Sequence, residues 1–537
     1  MKRIVLITFI TIVIATITGC NNTNETVIFD NATQIELSDE EIKADGEVIG
    51  TNTDAAVYIA NDIVYYESGY DFTYGEGSET DAHTKEEAMA HTVVHISQPG
   101  TYCLSGELSK GQIAVDLGED AEGDPEAVVT LILNNVDITC DVAPAIIFYN
   151  VYECGDTDTE NASKDIDTTT AGANIVIADG TTNTVNGSYV ARIYKPDSVV
   201  LSEDGTEVED AKKLHKYDGA LYSKMSMNIE GGTDNSGILN INAENEGLDS
   251  ELHLTINGGN INIVSGNDGI NTNEDGVSVT TINNGVLNIL VNGNTGEGDG
   301  IDSNGWLVIN GGTVITSACA DSADAGIDSD MGIHINGGTV MSSGHMLDRI
   351  EDGGQNYAVF HFAQMQDGKE SIILKDEADN VIIEHSPQNS FSVLIFSSPE
   401  LKAGTYTLWS NDTQLAGING GFMMGGPGDG GMMPGGGQRP EGEMPEFPEN
   451  IEFPEEMNPE NMEPPEIPEG MEMPEWGEKP MEMESMEGFE MPEGVEPPAD
   501  IHQTPMGFPN QMNSDEFSKE FVISKGENIF GNVSIAK

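Results

Sequence analysis

The segment that decides the fold is Val308-Ile309-Asn310-Gly311-Gly312, because close copies of it recur along the chain. The residue that precedes the glycine pair, or its equivalent, lies at positions 230, 257, 283, 310 and 336, so the period is 26 or 27 residues. Short runs such as Asn260-Ile261-Asn262-Ile263 alternate apolar and polar residues, which is typical of strands with one buried face. Short strands, glycine bends and this period predict an all-β fold, a parallel β-helix in which each repeat forms one coil.

Coils of this kind stack about 4.8 Å apart, the usual spacing between strands. Equivalent side chains then lie above one another, and we expect an inward-facing ladder of Ile256, Ile282, Ile309 and Ile335. A β-propeller would need about 40 residues per blade. A leucine-rich repeat would need a Leu-x-x-Leu-x-Leu signature and an asparagine ladder, and we find neither in these repeats.

A second motif keeps step with the first and carries two acidic positions, as in Asp299-Gly300-Ile301-Asp302-Ser303. Stacking predicts two columns, one of Asp249, Asn271, Asp302 and Asp328 and the other of Glu246, Asp268, Asp299 and Asp324. Like charges opposite one another on adjacent strands are destabilising, and the span from Met225 to Asp348 contains 17 carboxylates and no Lys or Arg. A hard cation would neutralise the columns, and outside a cell calcium (Ca²⁺) is the natural choice. The alternative is a solvated acidic face.

The overall charge excludes several classes of function. The chain has 537 residues, with 93 Asp and Glu against 21 Lys and Arg, for a formal net charge of -72. Nucleic acid binding is excluded because phosphate contacts need clustered basic side chains. Electrostatic docking on anionic lipid is excluded for the same reason.

The N-terminus predicts export and lipid anchoring. A basic start and an apolar run from Ile4 to Ile17 precede Ile17-Thr18-Gly19-Cys20, which is similar to a bacterial lipobox. Residues 1–20 are therefore interpreted as a lipoprotein signal peptide, with Cys20 acylated and the chain anchored on the extracellular face of the cell membrane. An ordinary signal peptide with an incidental cysteine is the alternative.

The remaining cysteines are Cys103, Cys140, Cys154 and Cys319, and they form no CxxC pair, so a thiolate zinc site is not expected. Cys140 and Cys154 either form a disulfide or remain buried free thiols.

Composition divides the rest of the chain. Residues 21–92 are predicted to be a tether and an N-terminal β cap, and residues 93–350 the β-helix. Residues 351–420 with 516–537 are predicted to form a C-terminal antiparallel β unit, in which the last segment pairs with the strand of Tyr406. Residues 421–515 are rich in Gly, Pro, Met and Glu, which predicts a disordered insertion.

The coils and the entry segment His95-Ile96-Ser97-Gln98-Pro99-Gly100-Thr101-Tyr102 resemble the extracellular carbohydrate-binding β-helix proteins of clostridial bacteria. The resemblance covers roughly Val93 to Thr407, although the acidic insertion from Gly155 to Thr170 departs from the pattern. It implies a right-handed parallel β-helix, related in fold to pectate lyases, that binds calcium and plant cell-wall polysaccharides such as polygalacturonate and cellulose.

We predict a monomeric, non-catalytic protein that binds such a polysaccharide, with Trp306 and Tyr222 as candidate sugar-stacking rings. A lyase needs a Lys or Arg base, and the repeats contain none. A hydrolase needs paired carboxylates, which Asp299, Asp302 and Asp328 could supply. The alternatives are therefore a β-helix polysaccharide lyase or hydrolase, or a structural or adhesive surface protein in which calcium only stabilises the coils.

Overall fold

The computed structural model describes residues 31–155, 157–419, 517–526 and 528–536. The predicted signal peptide with Cys20 and the predicted insertion at 421–515 lie outside these residues. Within them nearly all regular structure is strand, which confirms the all-β class, and the α-helix Lys85–Met89 is accompanied by short 3-10 turns at Glu119–Gly123 and Pro196–Ser198. No helix in these ranges is long and apolar enough to cross a membrane.

The repeats form three ladders in which each strand pairs in parallel with its equivalent in the next repeat. The first ladder carries the acidic motif and contains Thr92–Ile96, Gly111–Val115, Ile146–Phe148, Gly219–Ser223, Glu246–Ser250, Ile270–Thr272 and Ile301–Ser303. The second, before the glycine pair, contains Ala173–Ile177, Met227–Gly231, Leu254–Ile256, Val279–Ile282, Trp306–Ile309 and Ile333–Ile335. The third, after the glycine pair, contains Thr182–Gly187, Ile238–Ala243, Asn260–Ser265, Val286–Val291, Thr313–Ser317 and Thr339–Gly344. The long strands Gly100–Leu108 and Val129–Cys140 run through both the second and the third ladders.

The predicted isoleucine ladder is confirmed. Ile256 pairs with Ile282, Ile282 with Ile309, and Ile309 with Ile335. All four side chains are at most 1% exposed. Because alternate residues of each strand point to opposite faces, this register fixes one face of each coil to the interior.

The glycine of the acidic motif allows close approach between coils. A Cβ atom at Gly269 would lie 2.2 Å from Cγ2 of Ile289 and 2.6 Å from the carbonyl oxygen of Gly300. Both distances are far below van der Waals contact, so any side chain here would push the coils apart. The motif therefore needs glycine for packing as well as carboxylates for charge.

We expect Gly269→Ala to lower the free energy of unfolding by about 1–3 kcal/mol through overpacking. Denaturant unfolding of the full chain measures this, with Gly50→Ala as the matched control because nothing lies within 4 Å of a Cβ built there. Equal stability of the two variants would show that the coils can separate without cost at Gly269.

The N-terminal strands extend the ladders. Thr33–Leu37 pairs in parallel with Gly100–Leu108, and Val57–Ala60 pairs antiparallel with Thr92–Ile96. The short strands Lys43–Ala44 and Glu47–Val48 pair with each other beside them. The edge strands at this end of the repeats thus have partners from the preceding chain, as stability of a stacked fold requires.

A β-hairpin with two successive pairs of strands interrupts the coils before the regular repeats begin. Val190–Tyr194 pairs antiparallel with Lys213–Tyr217, and Val200–Leu201 pairs with Val208–Asp210 nearer the tip. This hairpin (residues 190–217) brings basic and aromatic side chains next to the first ladder, with consequences for the site described below.

The C-terminal strands continue the third ladder, because Phe391–Ser397 pairs antiparallel with Thr339–Gly344. Beyond them lie Ile372–Asp376, Val381–His385, Gly404–Ser410, Thr413–Asn419, Phe517–Ser518 and Phe521–Ile523. As predicted, the last segment pairs with the strand of Tyr406, opposite Phe521.

Most strand pairs of the C-terminal unit are antiparallel, as predicted, but a parallel pair also occurs among its described residues. Ile529–Ile535 pairs in parallel with Tyr357–Gln366 and antiparallel with Thr413–Asn419. Only a short hairpin connection forces neighbouring strands to be antiparallel. Residues 420–516 separate these strands in sequence, so that constraint does not apply.

Candidate metal and carbohydrate site

The acidic residues of the repeats stack along the first ladder. Asp249 is the register partner of Asn271, and Asn271 is the register partner of Asp302. Asp328 follows one coil later, where its backbone N–H donates to the carbonyl of Ile301 at 2.7 Å. These four residues therefore occupy equivalent positions in successive coils.

The second column is held together by hydrogen bonds from one coil to the next. The backbone N–H of Asp299 donates to Oδ1 of Asp268 at 2.6 Å, and the N–H of Ala325 donates to Oδ1 of Asp299 at 2.5 Å. Oδ2 of Asp324 accepts from the N–H of Gly298 at 2.5 Å. The carboxylates of Asp268, Asp299 and Asp324 thus each accept a hydrogen bond from the backbone of an adjacent coil.

In the part of the chain that the structure describes, two groups of three carboxylates bring ligand oxygens within 4.8 Å of one another. We call Asp299, Asp302 and Asp328 the open trio, and Asp218, Glu246 and Asp249 the lysine-side trio. Of the other predicted ligands, Asp268 and Asp324 belong to neither trio, and Asn271 contacts Glu246 of the lysine-side trio. Asp218 was missed as a ligand, although Asp218-Gly219 is the first copy of the acidic motif in the sequence.

Burial and mutual repulsion oppose ionisation of the open trio. Burial, followed by the charges of Asp268 and Asp328, raises the pKa of Asp299 to about 9. Burial and neighbouring carboxylates raise the pKa of Asp302 to about 6 and that of Asp328 to about 7. A bound cation would reverse this effect, because an opposite charge within a few ångströms favours the carboxylate form.

The lysine-side trio has a protein cation beside it. Nζ of Lys216 lies 2.6 Å from Oδ2 of Asp218. Burial opposes the charge on Lys216, but the negative charges of Asp218, Glu246 and Asp249 outweigh it and raise the pKa of the ammonium. Burial and like charges also raise the pKa values of Glu246 and Asp249 well above their usual range.

The position of Lys216 contradicts the prediction that no protein cation lies at the acidic columns. Because the repeats themselves contain no Lys or Arg, no protein cation was expected at the acidic columns. The hairpin folds back over the first coil, which places Lys216 at Asp218 and Nζ of Lys213 2.8 Å from Oε1 of Glu251.

Two buried oxygens, one in the lysine-side trio and one next to it, are suitable ligands for a divalent cation. Oε2 of Glu246 and Oδ1 of Asn271 have no hydrogen-bond partner, although the two residues are only 5% and 7% exposed. Nδ2 of Asn271 donates to Oε1 of Glu246 at 3.1 Å, so the two side chains are adjacent. Unpaired buried acceptors cost free energy, and carboxylate and amide oxygens are the ligands that Ca²⁺ prefers. The donor set of the columns therefore suits calcium.

The prediction of Tyr222 as a sugar-stacking ring is wrong. Its side chain is 2% exposed and its hydroxyl donates to Oε1 of Glu251 at 2.6 Å. Tyr222 is in register with Asp249, but the ring of Tyr217 from the hairpin packs against it edge-on with 5.0 Å between centroids. The hairpin therefore helps to bury the Tyr222 ring, which has no exposed face on which a sugar could stack.

Trp306, the other candidate ring, begins its strand opposite Val279 and is half-buried. Its role in carbohydrate binding stays a prediction.

The cysteines of the described chain are free thiols. Cys140 is buried, Cys154 is half-buried, and neither forms a disulfide. Burial raises the pKa of both thiols to about 12. Of the two alternatives left open by the sequence, the structure contains the unpaired form.

An exposed asparagine ladder runs along the bends between the second and third ladders. Nδ2 of Asn283 donates to Oδ1 of Asn257, Asn310 donates to Asn283, and Asn336 donates to Asn310, each at 2.8 Å. The prediction that the repeats lack such a ladder is wrong. These are the residues that precede the glycine pair, so the 26–27-residue spacing was itself the signal.

Comparison with known proteins gives a family match over the stacked coils. Residues 90–352 match the model of a family described as carbohydrate-binding domain-containing protein. This carbohydrate-binding domain match includes both trios and the hairpin that precedes them in the sequence.

A carbohydrate-binding domain-containing protein of Acetivibrio thermocellus is 29% identical over 177 residues, which are 33% of this chain and 46% of that protein. The chain thus spans about half the length of this relative. Among solved structures, a gadolinium derivative of the polysaccharide lyase-like protein from C. thermocellum aligns with 20% identity and a TM-score of 0.31, over 57% of this chain and 83% of that one.

Proposed function

We propose that the chain is a non-catalytic polysaccharide-binding protein whose acidic columns hold Ca²⁺. The observation that carries the proposal is the open trio, three carboxylates within 4.8 Å that lie in a span without Lys or Arg. Arg349, the next basic residue along the chain, pairs with Glu351 at 2.6 Å instead. The carbohydrate-binding family match supports the polysaccharide as the partner.

Bound calcium would also overcome the repulsion between this acidic chain and an acidic polysaccharide. A chain with a net charge of -72 repels polygalacturonate. When bound, Ca²⁺ would link protein carboxylates to uronate carboxylates. In this proposal Asp299, Asp302 and Asp328 hold the first ion, and Glu246, Asp249 and the Oδ1 atom of Asn271 hold a second, weaker one.

The same proposal completes the fold and location predicted from the sequence. The three parallel ladders support a right-handed parallel β-helix, in which each coil contributes one strand to each ladder. The lipobox-like segment supports an extracellular protein anchored through Cys20.

The protonated state of Lys216 favours binding without cleavage by a lyase mechanism. A lyase base must lose its proton, and the charge of Asp218 raises the pKa of Lys216 and keeps it protonated. The environment of the open trio favours the hydrolase alternative: burial and neighbouring carboxylates raise the pKa of Asp299 to about 9 and that of Asp302 to about 6, and separated carboxyl pKa values are typical of acid and base pairs.

Affinity electrophoresis of the full chain through gels containing polygalacturonate or cellulose, with CaCl₂ or with EGTA, tests the proposal. We expect retardation by polygalacturonate that disappears in EGTA. Retardation by polygalacturonate that is equal in both buffers would leave calcium a purely structural role. Release of unsaturated products or new reducing ends from the same polymers would establish an enzyme.

Lys216→Met is expected to strengthen calcium uptake at the lysine-side trio by at least roughly tenfold, because it removes a positive charge a few ångströms from three carboxylates. Equilibrium dialysis of the full chain at increasing calcium concentrations counts the ions bound. Lys212→Met is the matched control, since Lys212 lies on the same hairpin but is exposed and away from the trio. If Lys216→Met bound calcium no more tightly than the control, the second ion would not lie at this trio.

A further inference from the structure

A cavity of about 490 Å³ lies in the loop between the strand Val57–Ala60 and the helix Lys85–Met89. Its lining includes three aromatic rings and three carboxylates, those of Tyr66, Tyr70, Phe72, Glu67, Asp71 and Glu79. The volume is in the range of small-molecule sites, which are typically about 300–1,000 Å³. The loop precedes residues 90–352, so it lies outside the region matched by the carbohydrate-binding family.

Two of these rings are exposed. Tyr70 is 61% exposed and Phe72 is 47% exposed. Tyr70 stacks on Tyr74 with 4.3 Å between centroids and 17° between planes, so one face of Tyr70 is covered and the opposite face remains available. Because both rings line one cavity, they offer apolar surface to a ligand that enters it.

The loop holds these rings in place before any ligand arrives. The hydroxyl of Tyr66 donates to the carbonyl of Gly77 at 3.0 Å, and its ring packs edge-on against Tyr74 at 5.0 Å. The backbone N–H of Glu76 donates to the carbonyl of Arg192 at 2.9 Å, and the Arg192 guanidinium pairs with the Glu76 carboxylate at 2.8 Å. The hairpin therefore fixes the loop, which lowers the entropy cost of binding.

The lining selects the chemistry of the ligand. A pyranose has a C–H face that packs on an aromatic ring, whose π face is negative, and hydroxyl groups that donate to carboxylates. Glu67, Asp71 and Glu79 supply acceptors, and the cavity is lined by no Lys or Arg. A uronate would be repelled, whereas a neutral sugar or a protonated amino sugar would not.

We propose that this loop is a second carbohydrate site, which stacks a pyranose without a carboxylate on Tyr70 and Phe72. It goes beyond the calcium-dependent binding proposed for the coils, because it needs no metal ion and takes a different class of sugar. The chain would then hold an acidic polymer on its coils and a neutral or amino-sugar polymer on its N-terminal loop.

Isothermal titration of the full chain in EGTA with cellohexaose, with a glucosamine hexamer and with a galacturonate oligomer tests this site. We expect saturable binding of at least one of the first two and none of the third. Tyr70→Ala and Phe72→Ala should each weaken that binding about tenfold, whereas Tyr70→Phe, which keeps the ring, should retain it.

The site is refuted if neither non-anionic oligomer binds, if the galacturonate oligomer binds as tightly in EGTA, or if the alanine variants bind like the unsubstituted chain. Because calcium is absent, these results are independent of the coil proposal, which is tested with polygalacturonate in CaCl₂. Either site can therefore fail while the other stands.

Discussion

Replacing Asp299 and Asp302 together by Asn is expected to abolish calcium-dependent retention of the full chain on polygalacturonate. The two substitutions leave Asp328 as the only carboxylate of the open trio. Loss of outer partners alone weakens metal binding by roughly 10–100-fold, and loss of two charged ligands should cost at least as much. Affinity electrophoresis with and without EGTA measures the change.

Glu297→Gln is the matched control for this pair, because it removes a negative charge from the same segment while Glu297 is exposed and outside the trio. The double variant should fold at least as stably as the unsubstituted chain without calcium, because it removes repulsion between buried carboxylates. A thermal melt in EGTA therefore separates loss of binding from loss of structure. Undiminished retention of the double variant would place the ion elsewhere.

Ile309→Ala is expected to lower the free energy of unfolding by about 2–5 kcal/mol, the cost of a cavity left by a large aliphatic side chain. Ile309 is fully buried and lies between Ile282 and Ile335 in the inward ladder. In a stacked fold each coil is stabilised mainly by its neighbours, so the cavity weakens two interfaces at once. Denaturant unfolding followed by circular dichroism gives the change.

Val381→Ala serves as the comparison, because Val381 is 52% exposed and surface substitutions usually change stability by less than about 0.5 kcal/mol. A cost for Ile309→Ala as small as that of Val381→Ala would mean that the ladder does not hold the coils together.

Sequence periodicity predicted what depends on local register. A period of 26–27 residues aligned Ile256 with Ile282, and the recurring acidic motif aligned Asp249 with Asn271 although they are only 22 residues apart; the structure has both pairs in register. This works because successive coils share one backbone path, so residues at equal spacing must stack. The same spacing also contained the asparagine ladder from Asn257 to Asn336, which the sequence analysis overlooked.

Contacts made by the hairpin could not be predicted in this way. Lys216 reaches Asp218, and Tyr217 covers Tyr222, because the segment between Val190 and Tyr217 turns back over the first coil. The hairpin occurs once, so periodicity gives no information about where it folds. The burial of Tyr222 and the cation beside the lysine-side trio follow from that single event.

The aromatic cavity in the loop before the helix Lys85–Met89 could not be predicted for a different reason. Tyr66, Tyr70, Phe72 and Tyr74 lie close together in the sequence, but alternation alone would have assigned them to strands of a cap. The exposure of Tyr70 and Phe72 depends on how the hairpin anchors the loop through Arg192.

Calorimetric titration of the full chain with CaCl₂ tests whether the stacked carboxylates of successive coils bind a divalent ion. We predict saturable uptake in the unsubstituted chain, with the tightest ion lost in the Asp299→Asn, Asp302→Asn variant and kept in Glu297→Gln. Absence of uptake, or equal uptake by the double variant, would contradict this prediction.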